Sequence, residues 1–184
     1  MHALHCLLVS LDKWQIDEML ASQNNPQRLQ EIEMRIRLVA MEATSEYADQ
    51  AFDWRSEDDA GSWIDDFPGA GVVLGAKESE RFKELLAEYS QKPLKRAMVL
   101  MEKYDCYAGR ILNKSLLREV WANKKPWDEP WTLATIFRLL IGDYLFESQF
   151  YSVPDASAKI SDGVFRDAME HPEYYALVFS DYHW

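Results

Sequence analysis

The sequence predicts an α+β fold: a small sheet with the N- and C-terminal strands at its centre, packed by about five helices. Three observations carry this expectation. Two short runs, residues 4–11 (LHCLLVSL) and 174–179 (YYALVF), are apolar on both alternating faces, the pattern of a strand covered on both sides. Most of the chain between them repeats its apolar residues at helical spacing. No internal repeat interrupts it, and 184 residues can bury one substantial core. A single domain spanning residues 1–184 is therefore expected.

After the first strand, residues 12–20 can form a short helical turn. Asn25 and Pro26 then read as N-cap and first helical residue. Leu29, Ile32, Ile36, Val39, Ala40 and Ala43 keep one face apolar, and Glu31 with Arg35 and Glu33 with Arg37 are spaced as i,i+4 ion pairs. Met34, Leu38 and Met41 make a second apolar stripe, expected to be covered by another helix. Short strands are expected at 51–55 and 72–74, and a helix over 77–91 with Phe82, Leu85, Leu86 and Tyr89 inward. Pro93 opens a longer helical pattern running to about residue 122, with Asp105 in its apolar face and Lys92, Arg96, Lys103, Arg110 and Lys114 opposite. Residues 131–146 are apolar nearly all round and read as a buried central helix, with Arg138 expected to pair with Asp105. A strand at 149–153, stopped by Pro154, and a helix at 161–170, capped by Ser161, complete the order.

Charge is distributed unevenly. The chain carries −11 overall, which opposes approach to nucleic acid or anionic membrane. Residues 53–76 sum to −5 and residues 77–125 to +5, so a basic segment sits inside an acidic protein. Cys6 and Cys106 have no metal or redox spacing and each lies in an apolar run, which predicts buried free thiols. Nothing at the start resembles a signal peptide and no stretch reaches the length of a membrane span, so a cytoplasmic setting is the expectation.

The chain is organised around residues 52–75, FDWRSEDDAGSWIDDFPGAGVVLG, which hold four of the seven glycines. Asp53, Glu57, Asp58, Asp59, Asp65 and Asp66 crowd this stretch against one base, Arg55, with Trp54 and Trp63 among them. Aromatic anchors ringed by charge match the composition of interface hot spots, and clustered acids speed encounter with basic partners. These eight residues (Asp53, Trp54, Glu57, Asp58, Asp59, Trp63, Asp65 and Asp66) are the candidate partner-binding face. In composition it is similar to small acidic inhibitors that mimic nucleic-acid charge.

Signatures of catalysis are missing from the sequence. There is no GxxxxGK[ST], no GxGxxG after a strand and no GxSxG elbow, so no catalytic residue and no cofactor is assigned. The alternative to a binding module is a divalent-metal-dependent hydrolase using the acids of residues 53–66 as oxygen ligands, although their local run does not match an EF-hand loop. If the terminal strands pair, His5, Asp181 and His183 gather at one sheet edge, where they can bind zinc or act as a base. Because His2 and His5 point to opposite faces of a strand, only one of them can join. A third reading has the basic stripe, with Tyr104, Tyr107, Trp121 and Trp127, contacting nucleic acid. Packing of that stripe against the acidic stretch is the simpler use of its charge.

Overall fold

The computed structural model describes residues 2–22, 24–46, 48, 52–103 and 128–183. The N-terminal strand β1 (His2–Ser10) and the C-terminal strand β5 (Tyr175–His183) pair antiparallel over nine residues, from His2 opposite His183 to Ser10 opposite Tyr175. On its far edge β1 takes β4 (Phe150–Ser152) in parallel. The far edge of β5 is shared by two short strands: β2 (Trp54–Arg55) pairs with its last residues and β3 (Val72–Leu74) with residues 176–178. The terminal strands are thus the centre of a five-stranded mixed sheet, and the fold is α+β, as the doubly apolar runs predict.

Alternation of side chains along β1 and β5 builds two cores, one on each face. Leu7, Val9, Ala176 and Val178 face α1 (Lys13–Ala21) and α2 (Pro26–Ala43), which contribute Met19, Ile32, Ile36, Ala40 and Met41. Leu4, Cys6, Leu8, Leu177 and Phe179 face α3 (Ser79–Tyr89) and α6 (Asp162–Glu170), which contribute Phe82, Leu86, Tyr89 and Ala168. Helix starts follow their local chemistry. Asn25 accepts from the Arg28 amide and Ser161 from the Val164 amide, caps worth about 1 kcal/mol each. Cys6 is a buried free thiol whose pKa burial pushes up, while Cys106 lies outside the described residues.

Several local expectations fail for identifiable reasons. α5 (Asp128–Ile141) is not a buried central helix. It pairs with α4 (Lys92–Lys103), burying Ile136 and Leu139 against Ala97 and Leu100, and leaves Trp131 and Ile141 at least 70% exposed. Both sheet faces are already covered by other helices, so an all-round apolar pattern did not guarantee the centre. Arg138 bonds Asp143, and its expected partner Asp105 lies outside the described residues. In the second stripe of α2, Met41 joins the core but Leu38 is exposed. The expected pairs on α2 are absent too, because Arg28 takes Glu31, Glu18 takes Arg28 and Arg35, and Arg37 is drawn inward.

The β1 register also fixes His5. Its imidazole is fully buried among Phe52, Phe146, Tyr144 and Tyr182, with ring centroids 4.3 to 5.9 Å away. Nδ1 lies 3.0 Å from the Tyr144 hydroxyl, and Nε2 has no hydrogen-bond partner among the described residues. Burial lowers the His5 pKa from 6.5 to about 3. A folded value below the unfolded one means the unfolded chain binds the extra proton, so this contribution to stability is intact above pH 6.5 and is lost as pH falls toward 3. The expected slope is about 1.4 kcal/mol per pH unit in that window. Urea unfolding of His5→Phe beside wild type from pH 7 to pH 4 should show the difference in their stabilities changing by that slope. Parallel curves would show that His5 is free to protonate in the folded protein.

Candidate functional site

The acidic stretch is held from inside by one residue of α2. Arg37 is completely buried, and its guanidinium donates to five backbone carbonyls and one hydroxyl. Nε bonds Glu57 O at 2.7 Å; Nη1 bonds Ala70 O at 2.9 Å and Phe179 O at 2.8 Å. Nη2 bonds Ser56 O at 2.7 Å, Ser180 Oγ at 3.1 Å and Asp59 O. The fork of N–H donors thereby closes the loop that connects β2 to β3 and ties both ends of it to β5. Among the described residues no carboxylate bonds the guanidinium. Burial lowers the Arg37 pKa, while the negative charges of Asp59, Glu57 and Asp58 oppose the shift.

The loop is pinned further by its own residues. Phe67 stacks on Phe179 with ring centroids 3.8 Å apart, and Arg81 lies over the outer face of Phe67. The Asp59 carboxylate accepts from the Ser56 hydroxyl at 2.9 Å and the Gly61 amide at 2.7 Å. Gly71 has a φ of +65°, and a Cβ there would meet Phe179 O at 2.8 Å and the Arg37 guanidinium at 3.2 Å. A side chain at residue 71 would therefore break the cradle sterically as well as through its backbone angle.

With the backbone fixed, the eight candidate residues divide into three groups. Asp58, Asp65 and Asp66 are exposed and make no ion pair among the described residues. Asp53, Glu57 and Asp59 are engaged locally, by His183, Arg55 and the loop respectively. Trp54 is 49% exposed and lies edge-on to His2, whereas Trp63 is partly buried against the Phe67 and Phe179 core. The expected packing of the basic stripe on this stretch is not seen among described side chains. Lys92 pairs with Glu88 and Arg96 with Glu147; the Lys103 side chain, Arg110, Lys114, Tyr104, Tyr107, Trp121 and Trp127 lie outside the described residues.

Sequence reasoning placed one histidine on the wrong face and stopped β5 too early. Register puts His2, not His5, on the face of Asp181 and His183, and β5 continues through Ser180, Asp181 and Tyr182, all buried. Their polarity is satisfied inside. Ser180 Oγ donates to Ser56 O at 2.7 Å, and Asp181 accepts from the Ser62 amide and hydroxyl and from His2 Nδ1 at 3.0 Å. Beside it, His183 Nδ1 bonds Asp53 at 2.9 Å, and the two imidazole centroids are 4.9 Å apart. The signal for this pairing was present in the sequence, since a full-length antiparallel match of the two terminal runs sets His2 against His183. Next to His2 a cleft of about 590 Å³ runs along α3, lined by Trp63, Asp66, Arg81, Glu88 and Lys92.

Chemically, the described residues at this end of the sheet are oriented imidazoles, with the nearby hydroxyl of Ser62 bonded to Asp181. The Ser62 hydroxyl donates to Asp181 rather than to an imidazole, so Ser62, Asp181 and His2 do not form a catalytic triad. Among the described residues no group of three or more His, Cys, Asp or Glu side chains is arranged to hold a metal ion, so the acids of residues 53–66 gain no support as a hydrolase centre.

Replacing Arg37 tests the cradle. Arg37→Met takes the guanidinium away from five backbone carbonyls, of which Ser56 O keeps the Ser180 hydroxyl, and should cost about 3–5 kcal/mol in urea unfolding. Arg37→Lys, which cannot span the same acceptors, should fall between the two proteins. A loss under about 1 kcal/mol for Arg37→Met would mean that the loop holds itself.

Comparison with protein-family models, with curated proteins and with solved structures finds no match for the chain.

Proposed function

We propose that this chain is an acidic protein-binding module, of the inhibitor kind, whose 53–66 face docks onto a basic groove of a partner protein and occupies it by charge mimicry. One observation carries the reading. The carboxylates of Asp58, Asp65 and Asp66 are turned outward without ion-pair partners among the described residues, on a backbone tied to Arg37 and β5. A preformed charged surface loses little conformational entropy on docking, and its field raises the encounter rate with a cationic partner. Trp54, half exposed at the border of this face, supplies an aromatic anchor. Glu57, Asp53 and Asp59 contribute charge while also serving the loop.

The same reading leaves nucleic acid and anionic membrane as poor partners, since the net charge of −11 repels both. Among the described residues no helix is long and apolar enough to cross a membrane. Taken together with the cysteine pattern, the reading belongs to a cytoplasmic protein with no cofactor.

The test is affinity capture at low salt from the native host, run in parallel with wild type and the Asp58→Asn, Asp65→Asn, Asp66→Asn triple variant. A basic polypeptide should be retained by wild type and released by roughly 0.5 M salt, where screening is strong. The triple variant should bind it at least tenfold more weakly and with a flatter salt dependence, with stability unchanged within about 0.5 kcal/mol. Trp54→Ala should weaken the complex mainly through faster dissociation. Equal binding by wild type and the triple variant would remove the acidic face from the interaction.

A further inference from the structure

We propose that His2 and His183 form a two-imidazole site for a borderline divalent transition-metal ion such as zinc, nickel or copper, with Asp181 and Asp53 holding the two rings in place. The inference does not rest on the acidic docking face, though the two are neighbours.

Position comes first. The two histidines are directly opposed across the central strand pair, so their side chains leave the same face of the sheet a few ångströms apart. Their ring centroids are 4.9 Å apart and the ring planes are inclined at 51°. A metal ion about 2.1 Å from each Nε2, at a roughly tetrahedral angle, sets two imidazole centres about 5 Å apart. The observed centroid spacing of 4.9 Å matches that of two imidazoles sharing one ion.

Protonation and orientation point the same way. His2 Nδ1 lies 3.0 Å from Asp181 Oδ1, and His183 Nδ1 lies 2.9 Å from Asp53 Oδ1. A carboxylate can only accept, so each Nδ1 carries the hydrogen, and in the neutral imidazole of that tautomer the lone pair is on Nε2. Carboxylate-supported imidazoles are the usual outer arrangement around a metal-binding histidine, where the acid fixes the tautomer and raises ligand basicity. Asp181 is itself buried at 1% exposure and held by the Ser62 amide and hydroxyl, so one support is rigid.

The remaining coordination positions face solvent, because the His2 side chain is 52% exposed and the His183 side chain 38%. Water or a side chain of another protein can fill them. Imidazole nitrogen selects zinc, nickel or copper over magnesium and calcium, which require oxygen ligands. Two protein ligands make a site of moderate affinity, with copper held most tightly.

Isothermal titration of the tag-free full chain with zinc, nickel and copper chlorides at pH 7.5 tests the site. One equivalent should bind, magnesium should not, and binding should weaken sharply at pH 5 as protons compete for the rings. His2→Ala and His183→Ala should each abolish the isotherm, and Asp53→Asn should weaken it about tenfold or more. His171→Ala, a control at a surface histidine elsewhere, should leave it unchanged. Long-range imidazole proton–nitrogen correlation should show both rings in the Nδ1–H form before metal, with the Nε2 signals shifting on titration. Absence of binding, or full affinity retained in either His2→Ala or His183→Ala, would overturn the proposal.

Discussion

A single buried guanidinium fixes the acidic loop of this molecule. Arg37 spends its donors on backbone carbonyls of Ser56, Glu57, Asp59, Ala70 and Phe179, so it acts on the path of the chain and leaves side-chain chemistry free. Removing an arginine from water is expensive, and neutral carbonyls return only part of that cost. The acids around it offset a further part through their field, Asp59 most strongly and then Glu57 and Asp58, although burial still leaves the Arg37 pKa lowered. Some of the negative charge in residues 53–66 thus has a structural role, in balancing a cation beneath it. Asp58, Asp65 and Asp66 are the acids of this stretch that make no ion pair among the described residues.

The sheet supplies the second constraint. Pairing β1 with β5 over their full length sorts four polar residues by parity, sending His5 inward to an aromatic cage and placing His2, His183 and Asp181 together. A slip of one residue would exchange those two fates. The strand end is also where the acidic loop returns to the sheet, since Asp53 and Ser56 donate their amides to His183 O and Asp181 O. The Arg37 cradle and the histidine pair are therefore successive parts of one connection.

Much of this was legible in the sequence. Doubly apolar runs named the two central strands, Asn25 with Pro26 named the start of α2, and valines 72 and 73 named β3. Elements whose pattern depends only on local periodicity and caps were readable because periodicity and caps determine them. The misses share another origin. Arg37 sits at i+4 from Glu33, a spacing that suits a surface ion pair, and only the tertiary path of residues 56–71 makes it the centre of a cradle. Ser180 and Asp181 lie beyond the apolar run 174–179, and nothing local reveals that Arg37, Ser62 and His2 satisfy them in the interior. The apolar girth of α5 suggested the centre because hydrophobicity alone does not say which layer a helix occupies. For the site, the acids and both tryptophans were visible as a cluster, but which acids are free and which are consumed by the loop is set by contacts distant in sequence.

Hydrogen exchange of the wild-type backbone is the most direct measure of whether residues 56–71 form a rigid platform. A loop fixed by Arg37 should protect the amides of Ser56, Gly61, Ser62, Trp63 and Phe67, each bonded in the structure, nearly as strongly as those of β5. Exchange of these amides at the rate of an unstructured loop, while β1 and β5 stay protected, would contradict a preformed acidic face.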